Sequence, residues 1–301
     1  MKKIMSLILI IITVFSVGCS KTTSKEDTKN KKIKIYTSIY PLYDFAKKVG
    51  KDKVDVTNLV PAGTEPHDWE LSTSDLINLE KADMLIYNGA GIENWIDKVI
   101  NNLDNKNIVY VKTSENLNLK KNNSKDSSKY DPHTWLSIKN AKKEMESIKN
   151  ALSKYDPQNK DYYEKNYKVY AKKFDELDKK YLNTLKSIKN KNIVVAHEAF
   201  GYLCDEYNIK QEGIEGLNPD SEPDPARMKE IINFAKKNKV KTIFFEELVS
   251  PKVAETIAKE INANTEVLNP LEGLSEEQIK NNEDYFSVME ENLKVLYESI
   301  K

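Results

Sequence analysis

The stretch DPQNKDYYEKNYKVYAKKFDELDKKYLNTLKSIKNK, residues 156–191, contains no glycine and no proline beyond Pro157. Within it Tyr163, Tyr167, Tyr170, Phe174, Leu177, Tyr181 and Leu185 recur at steps of three and four. That spacing places side chains on one face of an α-helix. Asp156 stands where a helix cap is wanted and Pro157 where the first helical residue needs no N–H. The reading is one helix of roughly 30 residues, about 45 Å long at 1.5 Å per residue. A helix of that length exceeds the needs of one small lobe. Its position between two halves of alternating strands and helices makes it the piece that joins them.

Upstream, Ile33 to Tyr40 alternates and is rich in β-branched residues, a first strand, and Pro41 opens a helix over Leu42 to Val49 that ends at Gly50. Strands are expected at Val54 to Val60, Asp83 to Gly89 and Ile108 to Val111, with helices at Ser72 to Lys81 and Trp95 to Leu103. Residues 113–131 carry no apolar periodicity and read as a loop, and Ser137 to Lys154 is an amphipathic helix. Downstream the alternation returns: strands at Ile193 to Ala196, Lys241 to Phe245 and Thr265 to Leu268, and helices at Ala199 to Tyr207, Ala226 to Asn238, Pro251 to Glu260 and Asn281 to Ile300. Strands alternating with helices argue for parallel sheets. The fold class is therefore α/β, two lobes each with a mainly parallel sheet flanked by helices, joined by one long rigid helix. The lobes span residues 33–154 and 191–301, with 155–190 linking them.

The start of the chain reads as an export signal. Met1-Lys2-Lys3 is basic and Met5 to Val17 is apolar, too short to span a bilayer, which takes roughly 20 residues. Residues 1–18 are expected to be removed as a signal peptide. Ser16-Val17-Gly18-Cys19 has the form of a bacterial lipobox, with Cys19 lipidated as the mature N-terminus, although leucine is usual where Ser16 stands. Residues 19–32 then form a polar tether to the cell membrane, anchored by lipid on its extracytoplasmic face.

Composition narrows the partners. The 47 basic and 47 acidic side chains balance to zero net charge, and lysine usually has an acid beside it, against a nucleic-acid surface. Apart from Cys19 the one thiol is Cys204, at helical spacing in Phe200-Gly201-Tyr202-Leu203-Cys204, which reads as a buried structural residue. Without a disulfide, an exported protein must be stabilised by the size of its core.

Only three histidines occur, in Glu65-Pro66-His67-Asp68-Trp69, Asp131-Pro132-His133-Thr134-Trp135 and Ala196-His197-Glu198-Ala199-Phe200. The first two phrases are near copies. All three lie at element ends, the region where open α/β sheets collect their ligands. Imidazole is the commonest ligand for a borderline metal such as Zn²⁺. Prolines 66 and 132 fix the backbone just before the ring, and nearby acids (Glu65 or Asp68, Asp131, Glu198) can hold the second ring nitrogen. Three nitrogens leave one tetrahedral position, to be filled by water in a hydrolase or by a carboxylate in a closed site. Glu272, after the last strand, is the carboxylate on offer. His197-Glu198 begins like the metalloprotease motif His-Glu-x-x-His, but Gly201 stands where the second histidine belongs.

These phrases resemble the metal-specific solute-binding lipoproteins of bacterial ABC importers, the zinc- and manganese-binding cluster. The likeness covers the mature chain and includes the long helix, His197-Glu198-Ala199-Phe200-Gly201-Tyr202, Ser250-Pro251 and Asn269-Pro270-Leu271. It implies a monomeric, non-enzymatic protein that captures a metal between its lobes and delivers it to an ABC permease and its ATPase. It also implies that His67, His133 and His197 are ligands. Manganese-type members place a carboxylate at the third position, so His197 favours zinc over Mn²⁺. Many relatives carry aspartate where this chain has Asn269, and some zinc-type members use a glutamate three residues on. Glu272 is thus the expected fourth ligand and Asn269 the second choice. Unlike many zinc members, the 113–131 loop holds no histidine. Alternatives within the resemblance are a manganese- or iron-binding member and a surface adhesin with a structural metal.

Overall fold

Ile33 and Ile35 face inward while Lys34 faces water, the period-two pattern of a strand beginning a sheet, and β1 spans Ile33–Thr37. In the computed structural model, which describes residues 31–122, 129–219 and 223–301, the chain continues through α1 (Tyr40–Gly50), β2 (Val54–Asn58), α2 (Thr73–Leu79), β3 (Met84–Tyr87), α3 (Ile96–Asn102) and β4 (Val109–Lys112). These four strands form one sheet in the order β2-β1-β3-β4, every pair parallel. Helices α4 (Ile138–Tyr155) and α5 (Lys160–Leu185) follow.

The second half comprises β5 (Asn192–Val195), α6 (Gly201–Tyr207), β6 (Lys210–Gly213), α7 (Pro225–Asn238), β7 (Thr242–Phe245), α8 (Lys252–Ile261), β8 (Asn264–Val267), α9 (Glu276–Lys280) and α10 (Tyr285–Ile300). Its sheet, β6-β5-β7-β8, is again wholly parallel and repeats the order of the first: second strand, first, third, fourth. In each sheet the order reverses between the first and third strands, which opens a crevice at their carboxyl ends. The two-lobed α/β architecture expected from the sequence is the one observed.

One apolar core runs through both halves. It takes Ile35, Phe45 and Trp135 from the first, Phe174 and Tyr181 from α5, and Phe200, Phe244 and Leu293 from the second. Smaller clusters sit to either side, around Ile231, Ile243 and Ile257 and around Leu79, Leu85 and Ile108. Tyr181 of α5 donates to the Met289 carbonyl of α10 at 2.6 Å, and Tyr40 of α1 donates to the Glu283 carbonyl just before α10 at 3.2 Å. The C-terminal helix therefore packs back across the junction.

The joining helix departs from the expected outline in two ways. It ends at Leu185 rather than near Lys191, because the chain there turns into β5, Ile188 N–H bonding Leu185 C=O at 3.2 Å and the Asn190 amide reaching the Asn238 carbonyl at 2.7 Å. Its 26 residues give about 39 Å. Asp156 does not cap it; a 3-10 turn over Pro157–Asn159 intervenes, and the Asp156 carboxylate instead accepts from Asn159 and Tyr163. The closing helix starts at Tyr285, not Asn281, behind the separate α9, since Asp284 forms a capping box with Ser287. Strand β6 was not anticipated: Lys-Gln-Glu-Gly is a polar edge strand with no apolar alternation. Cys204 is buried on α6, as expected. The signal segment and Cys19 lie outside the described residues, as do positions 123–128 of the expected loop. No described helix is long and apolar enough to cross a membrane.

Candidate metal centre

Both crevices carry chemistry. At the carboxyl ends of the first sheet, Ser38 follows β1 and Asn88 follows β3; in the second, His197 follows β5 and Glu246 follows β7. Loops bring in the rest. His67 arrives on the turn after β2, whose Gly63 sits at φ +73° and donates its N–H to the Leu274 carbonyl at 3.0 Å. Leu274 follows the loop that carries Glu272, so the two loops are tied together.

His133 is held from both flanks. Asn88 donates to the Pro132 carbonyl at 2.8 Å and accepts from the Thr134 hydroxyl at 2.8 Å. Asn88 is in turn fixed by the buried Glu93 carboxylate, which accepts from the N–H groups of Asn88 and Gly89 and from Ser38 Oγ at 2.6–2.8 Å. Trp135, two residues beyond the histidine, donates its indole N–H to the Pro270 carbonyl at 2.8 Å and so reaches the Glu272 loop.

The four residues converge. His67 Nε2 lies 3.3 Å from both His133 Nε2 and Glu272 Oε1. His197 Nε2 lies 3.2 Å from His133 Nε2 and 3.3 Å from Glu272 Oε1, and His133 Nε2 lies 2.9 Å from that same oxygen. A regular tetrahedron with metal–donor bonds of about 2.0–2.1 Å has edges of about 3.3–3.4 Å. Five of the six separations among these donors therefore already lie close to the edges of a tetrahedral zinc cage, and all four donor atoms lie within 4.8 Å of one another. Glu272 Oε2, buried beside it, has no hydrogen-bond partner among the described residues, which fits a carboxylate meant for a cation. Asn269 does not join this group. Its side-chain oxygen Oδ1 accepts from Leu271 N–H at 2.7 Å and its side-chain amide donates to Glu247 at 2.9 Å, so it shapes the loop that presents Glu272.

Two of the three rings, His133 and His197, are oriented from their far sides. Asp131 Oδ1 takes His133 Nδ1 at 2.9 Å and the His133 N–H at 3.0 Å, as its place beside the histidine suggested. For His197 the partner is Glu246, at 2.6 Å from Nδ1, and not the adjacent Glu198. Glu65 accepts the backbone N–H of His67 at 3.1 Å rather than a ring nitrogen. Glu246 was missed because 49 residues separate it from His197. The available signal was its position, an acid directly after an apolar strand.

Electrostatics follow from packing charges out of water. Burial would lower the His133 and His197 imidazoles, but the carboxylates around them outweigh it and raise both, Asp131 and Glu272 acting on the first and Glu246 and Glu272 on the second. Burial would raise Glu272, yet the charges of His67 and His197 hold it well below the usual carboxylate range. Glu65, buried and close to the Glu272 charge, is pushed up to about 9.

Known proteins resemble this chain over nearly all of its described length. Residues 35–299 match the family described as zinc-uptake complex component A, periplasmic. The chain is 40% identical over 300 residues to the high-affinity zinc uptake system protein ZnuA of Bacillus subtilis, covering 96% of this chain and 94% of that protein. It is 39% identical to the zinc-binding lipoprotein AdcA of Streptococcus pneumoniae over 98% of this chain, and spans 60% of AdcA's length. The crystal structure of the Zn(II)-bound ZnuA-like domain of AdcA matches with a TM-score of 0.79 at 41% identity, covering 90% of this chain and 99% of that domain. With the family match running from β1 to the last turn of α10, the chain belongs to the zinc-uptake complex component A family.

Proposed function

We propose that this protein captures Zn²⁺ outside the cytoplasm and delivers it to an ABC permease and its ATPase, without catalysing a reaction. His67, His133, His197 and Glu272 are the ligands. The observation that carries this reading is that five of the six donor separations fall at 2.9–3.3 Å, which suits a four-coordinate ion with bonds near 2 Å. Three imidazoles also favour zinc over Mn²⁺, which prefers oxygen ligands and six-fold coordination. Four protein donors close the coordination sphere, so a bound ion has no position left to activate water. Zinc here is cargo. In this reading Cys19 carries the lipid anchor, residues 20–32 form the tether, and the capturing unit is a monomer with lobes at 33–154 and 191–301.

Calorimetric titration of metal-free protein tests it. Zn²⁺ should bind one per chain and far more tightly than Mn²⁺. His197→Ala should weaken zinc by at least about 100-fold, the upper range for losing merely a partner of a ligand. Unchanged zinc affinity in that variant would remove His197 from the site.

A further inference from the structure

We propose that Tyr202, on the second lobe, is a positioning residue that sets the orientation of the His133 ligand on the first. The proposal rests on the zinc-site reading above but adds a residue that touches no ligand. Tyr202 is the second residue of α6, the helix that starts four residues after His197. Its hydroxyl donates to the Asp131 carbonyl at 2.9 Å and accepts from the Lys120 N–H at 2.9 Å.

Those two residues are themselves paired, Asp131 N–H bonding the Lys120 carbonyl at 2.9 Å, next to the antiparallel bridge between Lys121 and Tyr130. The phenol thus stands at the end of a short ladder and bridges the other donor and acceptor of the Lys120–Asp131 pair. Lys120 adds a second fastening to the same helix, its Nζ 2.7 Å from Asp205 Oδ2 and 3.3 Å from the Gly201 carbonyl.

The ladder ends in the residue that aims the ligand. Asp131 Oδ1 holds both the ring Nδ1 and the backbone N–H of His133. Its other oxygen presses on the first residue of α6: a Cβ added at Gly201 would stand 2.6 Å from Asp131 Oδ2. Asp131 is therefore confined between His133 and the second lobe, with Tyr202 fixing its backbone and Gly201 leaving room for its carboxylate. Through this contact the helix behind the third ligand fixes the second. A ring held at the right angle binds the ion without first being ordered, which is the effect such outer partners exert.

The test uses the full chain with Zn²⁺ and, as a spectroscopic probe, Co²⁺, whose visible bands report ligand angles. Tyr202→Phe removes both hydrogen bonds while keeping the ring. It should weaken Zn²⁺ by about 10–100-fold and change the Co²⁺ bands. Tyr207→Phe is the control. It lies on the same helix and donates to Asp178 at 2.8 Å, away from Asp131, so it should lower thermal stability and leave zinc affinity and Co²⁺ bands as in the parent. Gly201→Ala, which keeps the phenol and displaces Asp131, should reproduce the Tyr202→Phe spectrum and serves if that variant does not fold. Parent-like affinity and bands in Tyr202→Phe would overturn the proposal, as would an equal effect of Tyr207→Phe. If the parent protein itself binds neither ion, the zinc reading fails instead.

Discussion

Replacing Trp135 with phenylalanine separates the two jobs of a buried indole. Trp135 is fully buried, its ring edge meets His133 at 5.5 Å between centroids, and its N–H is the hydrogen bond to the Pro270 carbonyl. Phenylalanine is smaller by roughly 40 Å³, which at ~24 cal per Å³ costs about 1 kcal/mol. The orphaned carbonyl costs about 1–3 kcal/mol while it stays dry. The zinc-bound form should therefore lose about 2–4 kcal/mol in total. In metal-free protein the 269–273 loop can shift and let the carbonyl meet water, which recovers part of that loss but takes Glu272 away from the histidines. Binding zinc must then bury the carbonyl again. The part recovered without metal reappears as weaker binding, about tenfold for each 1.4 kcal/mol. Urea unfolding in chelator measures the first share and a competition titration with a fluorescent zinc chelator the second. If zinc affinity stays within twofold, or the two shares sum to less than about 1 kcal/mol, Trp135 does not hold the Glu272 loop in place.

Three further outcomes are expected. Glu144 is buried on α4, and burial, opposed in part by the Thr134 hydroxyl and helped by the Glu93 charge, pushes its carboxyl up to about 7. Below the unfolded value both states hold the proton and nothing is lost. As pH rises through about 4.5 to 7 the unfolded chain ionises first, so the parent should lose about 3 kcal/mol relative to Glu144→Gln. Parallel stability curves for the two metal-free proteins between pH 4 and 8 would contradict this. Glu246→Gln, which weakens the hold on His197 Nδ1, should reduce zinc affinity by about 10–100-fold in the same competition assay while the protein stays folded. Zinc at a thousand times its dissociation constant should stabilise the protein by about 4 kcal/mol, seen in calorimetry as a midpoint rise of about 8 °C that chelator reverses; no shift on adding zinc would count against tight binding to the folded state.

What could be read in advance follows the range of the forces involved. The helix α4 was legible to within a residue at each end because its apolar period is local, and Ser137 caps it through the Asn140 N–H at 3.0 Å. The three histidines stood out because a scarce residue type lay at element ends, whereas Glu272, one of many acids, was picked out by its place after the last strand and by the family resemblance. The partners of those residues were only half legible. Asp131 stands two residues before its histidine, but the choice of Glu246 over Glu198 is made by parallel pairing of β5 with β7, a contact between distant segments. Strand β6 escaped notice because an edge strand of polar residues is specified by what it lies against. Its Gly213 is one such place, where a Cβ would fall 2.4 Å from both the Glu198 side chain and the Glu215 carbonyl. Asp156 was misplaced as a cap because a 3-10 turn and a helix start look alike from three residues of sequence.

The apolar core that passes without interruption from Ile35 through Phe174 to Phe244 bears on how the protein comes apart. Two lobes joined only by a linker would melt as two units, each with its own midpoint. Here neither half can expose its inner face without stripping the other, so lobes and joining helix should unfold in one cooperative step. The side clusters around Ile231 and Leu79 lie outside that shared core. Amide exchange there should proceed through smaller openings, well short of global unfolding. Zinc, bound where both sheets end, then slows exchange throughout the shared core rather than in one lobe. The cargo reports its presence to both halves at once.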